Sequence, residues 1–156
     1  MVINFKLLTP TARVPLLNHE TDAGIDFFSD EEFVIGRRNT HLFSTGVAWE
    51  PYFDAREDGF GMQNFFKIYM QIQGRSGLAS KNGIGVMGGV IDPAYRGEIK
   101  IILINTTGIE YKVSKGDKIA QGIVHFIPHY TIKIAKDLGE TSRGEKGFGS
   151  SDLLGQ

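Results

Sequence analysis

Five short segments gather residue types able to hold an anion or activate a water. Gly74-Arg75-Ser76-Gly77-Leu78-Ala79-Ser80-Lys81 brings a guanidinium fork, a hydroxyl and a glycine-freed amide to the start of a helical turn, which suits a phosphate. Gly88-Gly89-Val90-Ile91-Asp92-Pro93-Ala94-Tyr95-Arg96-Gly97-Glu98 joins an apolar hairpin to an acid, an aromatic ring and a second guanidinium. Asp92 there can serve as general base toward a water, and Tyr95 can lie against a flat base or sugar while main-chain groups read the base. Thr21-Asp22-Ala23-Gly24-Ile25-Asp26 sets two carboxylates around a small pair, and Lys118-Ile119-Ala120-Gln121 offers an amide to an anion or a water. Ser142-Arg143-Gly144-Glu145-Lys146-Gly147-Phe148-Gly149-Ser150-Ser151 sets one ring and one guanidinium among glycines and hydroxyls. Such an arm can close over a ligand, with Phe148 stacked on a base and Arg143 and the glycine amides on phosphates.

Each segment has a plainer reading. Asp and Gly are what turns are made of, and a lone Gln on a strand is usually polar surface. The arm is the exception, because a merely disordered tail needs no Phe. Two other patterns fail on context. Gly83-Ile84-Gly85-Val86-Met87-Gly88 spells GxGxxG, but it runs into Val90-Ile91-Asp92-Pro93 rather than into the helix a dinucleotide site requires. His125 and His129 have HxxxH spacing, yet Pro128 and strand-like neighbours deny them a shared helical face for a metal.

The elements that must position these groups are strands. Phe66, Ile68, Met70 and Ile72 alternate with Lys67, Tyr69, Gln71 and Gln73, the period of a half-buried strand. Glu98 to Asn105 is apolar on both faces except at Lys100, which predicts a strand buried between two layers. Weaker strand signals cover Val2 to Leu8, Phe33 to Ile35, Thr40 to Ala48, Glu110 to Val113, Lys118 to Phe126 and Tyr130 to Ile134. Ser76 to Lys81 is the one plausible helical turn. Many short strands separated by turn residues predict an all-β sandwich or barrel.

Composition narrows the rest. The chain has 156 residues, enough for one core, and 20 glycines, about twice the usual share, clustered where ligands or turns need bare backbone. A net charge of -1 gives no sign of a nucleic-acid or anionic-membrane partner as the main business, and neither is expected; anion binding must be local. Zero cysteines exclude disulfides, thiolate nucleophiles and Cys-type zinc sites. The N-terminus lacks a signal-peptide pattern and no apolar run approaches a membrane span, so a cytoplasmic protein, in host cytoplasm if viral, is expected. From about Leu138 the chain is polar and Gly-rich, predicting a body over 1–138 and an arm over 139–156. The Asp54 to Asn64 loop is polar and carries no assigned chemistry.

Taken in order, the five segments match the five motifs of the trimeric deoxyuridine triphosphatase family, and the chain resembles that family from Ala23 to Ser151. The resemblance implies an all-β, distorted β-barrel or jelly-roll fold. It implies a homotrimer with the arm exchanged between chains, and three sites each assembled from all three. It further implies Mg²⁺ on the triphosphate, and hydrolysis of dUTP to dUMP and pyrophosphate by water attack at the α-phosphorus. Such an activity limits uracil incorporation into DNA and supplies dUMP for dTMP synthesis.

Carried over by position, Asp92 would activate the water and Tyr95 would pack under the deoxyribose and exclude a 2′-hydroxyl. Gly89, Val90 and Ile91, with the Lys100 backbone, would belong to the uracil hairpin. Arg75, Ser76 and Gly77 would hold the α and β phosphates, Gln121 would orient phosphates or water, and Asp26 would support the Mg²⁺ water shell. Arg143, Phe148 and Gly149 would arrive from a third chain. Ile25, Gly74 and Ala94 depart from the family's usual Tyr, Pro and Asp. The nearest rival is a dCTP deaminase, alone or bifunctional, but that relative typically has Ser where Gly77 stands and a deaminating Glu on the strand after the hairpin. A regulatory relative binding a protein partner through the Asp54 to Asn64 loop is the non-enzymatic rival.

Overall fold

The computed structural model describes residues 1–52 and 66–145; the Asp54 to Asn64 loop, Phe148 and Gly149 lie outside them. The elements run β1 (Val2–Leu7), β2 (Ile25–Phe28), β3 (Phe33–Ile35), β4 (Thr40–Ser44), β5 (Val47–Tyr52), β6 (Phe66–Gln73), α1 (Ser76–Asn82), β7 (Ile84–Met87), β8 (Val90–Ile91), β9 (Lys100–Asn105), β10 (Tyr111–Val113) and β11 (Lys118–Pro128). They form four antiparallel sheets, ordered β2-β11-β6-β8, β4-β9-β7, β1-β5 and β10-β3. The architecture is all-β, of the jelly-roll type, without a closed barrel among the described residues.

The alternation in β6 turns Ile68, Met70 and Ile72 inward. They meet Phe27, Phe43, Trp49, Ile101, Leu103 and Ile119 in one core. Trp49 is only 1% exposed, so truncating it to Ala would destabilise the fold by about 3–5 kcal/mol. No described helix is long and apolar enough to cross a membrane.

Three expectations need correction. Thr40 to Ala48 is two strands, because the chain reverses at Thr45–Gly46: Gly46 has φ +68°, and a Cβ there would lie 2.7 Å from Ala12 Cβ. Strand β9 is buried on one face only in this chain; Ile101 and Leu103 point inward, whereas Ile102 is 38% exposed. Tyr130 to Ile134 forms no strand, and Ile132 and Ile134 stand almost fully in solvent. Its alternating pattern is genuine, but among the described residues it pairs with no strand. Strands β2, β7 and β8 escaped the sequence reading because they are short, and in β2 the polar member Asp26 is itself buried.

Candidate active site

The register of β11 explains why distant segments converge. Gln121 pairs with Asp26 on β2 and with Gln73 on β6, so the first, second and fourth segments meet at one row of the sheet. Together they line a cleft of about 680 Å³, whose walls include Asp22, Asp26, Arg75, Ser76, Gly77 and Gln121. That volume is ordinary for a small-molecule site.

Asp26 organises this cleft. Its carboxylate is 4% exposed and receives Asn18 Nδ2 at 2.6 Å, Lys118 Nζ at 2.8 Å and Arg75 Nε at 3.3 Å. Burial alone would raise its pKa, but the Lys118 and Asn18 hydrogen bonds and the Arg75 charge outweigh burial and hold it below the usual carboxylate value. Arg75 is fixed a second time through Nη1 to Lys118 O at 3.3 Å. It occupies the N-cap of α1, and the first-turn amides of Ser76, Gly77 and Leu78 lack partners within the helix. A Cβ at Gly77 would meet nothing within 4 Å, so packing within the chain does not demand glycine there. Gln121 donates Nε2 to Gly74 O at 3.2 Å and lies across Gly24, where any Cβ would collide with its amide.

The Asp92 turn is a separate cleft of about 360 Å³, lined by Leu42, Val90, Ile91, Asp92, Tyr95, Glu98 and Lys100. Gly89 has φ +106°, and a Cβ there would come within 2.7 Å of Ile72 O; the bare backbone lets β8 dock on β6, with Ile72 N donating to Gly89 O at 2.7 Å. Asp92 follows β8 in a turn closed by Tyr95 N to Asp92 O at 3.1 Å. Among the described residues its exposed carboxylate has no hydrogen bond or ion pair. Arg96 staples the turn, donating Nη1 to Pro93 O at 2.6 Å and Nη2 to Glu50 Oε1 at 3.2 Å.

These two clefts share no residue. Ile91 pairs with Met70, which pairs with Val124, so Asp92 lies two strands across and several residues along from Gln121, roughly 15 Å away in backbone terms. That is far beyond the reach of a general base toward a phosphate held at Gln121. Arg143 lies on the exposed stretch after β11, in neither cleft. Sequence reasoning missed Asn18, Lys118 as an ion-pair partner, Glu50 and Arg96. Only Arg96 carried a signal, as a second guanidinium beside Tyr95.

The dUTPase family model matches residues 60–152. Deoxyuridine 5′-triphosphate nucleotidohydrolase of Helicobacter hepaticus is 38% identical over 98% of this chain and 90% of its own. The enzyme so named from Paramecium bursaria Chlorella virus 1 is 38% identical over 95% of this chain and 96% of its own. Among solved structures, Staphylococcus bacteriophage 80alpha dUTPase with dUPNHPP superposes with a TM-score of 0.78 at 28% identity, covering 96% of this chain and 98% of that one. Phage dUTPases of that kind are described as controlling transfer of virulence genes by a proto-oncogenic G protein-like mechanism. The chain belongs to the dUTPase family.

Proposed function

We propose that this protein hydrolyses dUTP to dUMP and pyrophosphate, and that each site combines the Arg75 cleft of one chain with the Asp92 turn of another in a homotrimer. The observation that carries this reading is the division of labour within the chain. The cleft holding Arg75 is prebuilt around Asp26, while the unpartnered carboxylate of the base-reading turn lies roughly 15 Å away in a different cleft.

The uracil ring is read by the main chain of Gly89, Val90 and Ile91 and by the Lys100 backbone, and the deoxyribose packs on Tyr95. Arg75, Ser76 and Gly77 take the α and β phosphates, and Gln121 orients phosphate or water. Asp92 accepts a proton from the attacking water as its oxygen bonds to the α-phosphorus. The bond from that phosphorus to the bridging oxygen breaks, and pyrophosphate leaves with the electron pair. Positioning and charge neutralisation supply most of the acceleration in such chemistry.

Mg²⁺ fits as a companion of the triphosphate. No cluster of three metal-ligating side chains exists among the described residues, and Asp26 is already matched by cations, so a dedicated protein cage is not what this donor set forms. Mg²⁺ commonly keeps several waters and takes phosphate oxygens, so Asp26 would support that water shell rather than hold the ion directly. When bound, the ion neutralises phosphate charge.

Two surfaces support the trimer. Leu42 pairs with Ile102, and Ile102 with Met87, making an exposed apolar row across β4, β9 and β7 that a second copy would cover. Tyr130, Ile132 and Ile134 form the strand-like pattern left unpaired in one chain, and a body over 1–138 with an exchanged arm over 139–156 belongs to the same proposal. Arg143, Phe148 and Gly149 would then reach a site of a neighbouring chain. A cytoplasmic setting, host cytoplasm if viral, and a regulatory protein partner at the Asp54 to Asn64 loop rest on the sequence and, for the partner, on the phage similarity.

One assay tests the activity: purified protein with Mg²⁺ and dUTP should yield dUMP and pyrophosphate in equal amounts, with no ammonia from dCTP. Ammonia release would assign the chain to the deaminases instead.

A further inference from the structure

We propose that Gly97 is a specificity-determining residue, because the orientation of the Tyr95 ring depends on position 97 having no side chain. This rests on the reading of Tyr95 as the group that packs under the deoxyribose.

The Tyr95 side chain folds back over its own turn, with Oη donating to Glu98 O at 3.0 Å. The ring therefore crosses directly above residue 97. A Cβ at that position would lie 2.5 Å from Tyr95 Oη, 2.6 Å from Cζ and 2.9 Å from Cε2. No carbon sits that close to a ring, so any side chain at 97 must displace Tyr95 or the turn itself. The backbone does not call for glycine here, because Gly97 is absent from the positive-φ positions that favour it. What requires glycine is the ring.

Tyr95 has room to move. It is 47% exposed, and its ring forms one wall of the cleft shared with Asp92 and Lys100. Displacing it changes the shape of that wall while Asp92 keeps its Arg96-stapled turn. The consequence falls on discrimination between deoxyribose and ribose, since a ring tilted by even about 1 Å no longer closes the space beside C2′.

The test is a double-mutant cycle read as the ratio of kcat/KM for dUTP to kcat/KM for UTP. Gly97→Ala should lower the ratio at least tenfold. Tyr95→Ala should lower it as much or more. In the Tyr95→Ala background, Gly97→Ala should change it less than twofold, because the added methyl then has no ring to strike. An equal fall in both backgrounds would place the effect of Gly97 in the backbone and overturn the inference. An unchanged ratio in Gly97→Ala beside a collapsed one in Tyr95→Ala would also overturn it, leaving Tyr95 as the sugar gate. An unchanged ratio in Tyr95→Ala would instead defeat the underlying reading of Tyr95. Thermal unfolding of each variant separates loss of fold from loss of discrimination, and Gly97→Ser, expected to act like Gly97→Ala, provides a second variant should the first not fold.

Discussion

Around Asp26 the charges are matched inside the chain: the buried carboxylate is held by Asn18, Lys118 and Arg75, and Arg75 is held again by a backbone carbonyl. Around Asp92 the carboxylate has no partner among the described residues and sits in solvent, while only the backbone of its turn is held, by the half-exposed Arg96 and Glu50. Under the proposed function, the contrast follows from the work each region would do. A phosphate ligand needs a cation fixed in place before binding, because ordering it afterwards would weaken affinity. A general base needs an unpaired carboxylate, since a salt bridge would hold its pKa low and weaken it toward water.

The largest effect should come from breaking the exposed region. Asp92→Asn should lower kcat by about 10²–10⁴ while leaving the affinity for a non-hydrolysable dUTP analogue nearly unchanged. Mixing Asp92→Asn chains with Arg75→Ala chains, each inactive alone, then tests whether the two regions work across chains. If three chains associate at random and each site draws Asp92 and Arg75 from different copies, activity should recover to about a quarter of the unmodified level. Recovery of nothing, with mixed trimers demonstrated by a size tag, would place both residues of a site on one chain.

Sequence legibility divided along the same line. The segments that carry Asp92, Tyr95, Arg75 and Gln121 stand out locally by residue type, and the strand alternation in β6 was readable from its period of two. The Asp26 cluster was not. Asn18 and Lys118 are 100 residues apart and meet only because β2 pairs with β11, a register no local pattern encodes. Thr40 to Ala48 misled because its apolar alternation runs through Gly46, where φ is +68° and where Ala12, Asp30 and Thr9 crowd the backbone, contacts from distant segments that no local pattern encodes. Ile102 misled differently: a both-faces-apolar strand implies two covering layers, and one chain supplies one.

A middle-sized effect tests the buried region. Asp26→Asn should destabilise the fold by about 2 kcal/mol at neutral pH, since Arg75 and Lys118 are about a third exposed and can partly resolvate. The pH dependence has a definite sign. The folded-state pKa of Asp26 lies below its unfolded value, so its stabilisation is complete above that unfolded value, near 4, and is lost as pH falls through the folded one. The gap in urea midpoint between the unmodified protein and Asp26→Asn should therefore be constant from pH 8 to about 5 and close in more acid solution. A gap that widened on acidification would mean that Asp26 is protonated when folded. The same variant should raise KM, because Arg75 loses one of its two tethers.

The smallest effect belongs to the staple. Arg96 and Glu50 are each 52% exposed, and such ion pairs contribute little to stability, so Glu50→Gln should leave the unfolding midpoint within experimental error. Arg96→Ala removes more, because its Nη1 also holds Pro93 O at 2.6 Å and bridges to Tyr95 O at 3.4 Å. Without it, the turn carrying Asp92 is left with the Tyr95 N to Asp92 O hydrogen bond and the Tyr95 Oη contact to Glu98 O. The expected result is a fall in kcat of a few-fold to about tenfold, with KM and the unfolding midpoint nearly unchanged, since misplacing a base slows chemistry without removing a phosphate contact. Arg96→Lys can reach one carbonyl but not all three oxygens, so it should recover only part of that loss. If Arg96→Ala instead raised KM and left kcat intact, the staple would belong to substrate binding. The contrast between a prebuilt cleft and a lightly held base would then have to be redrawn, with both regions preorganised for the ligand.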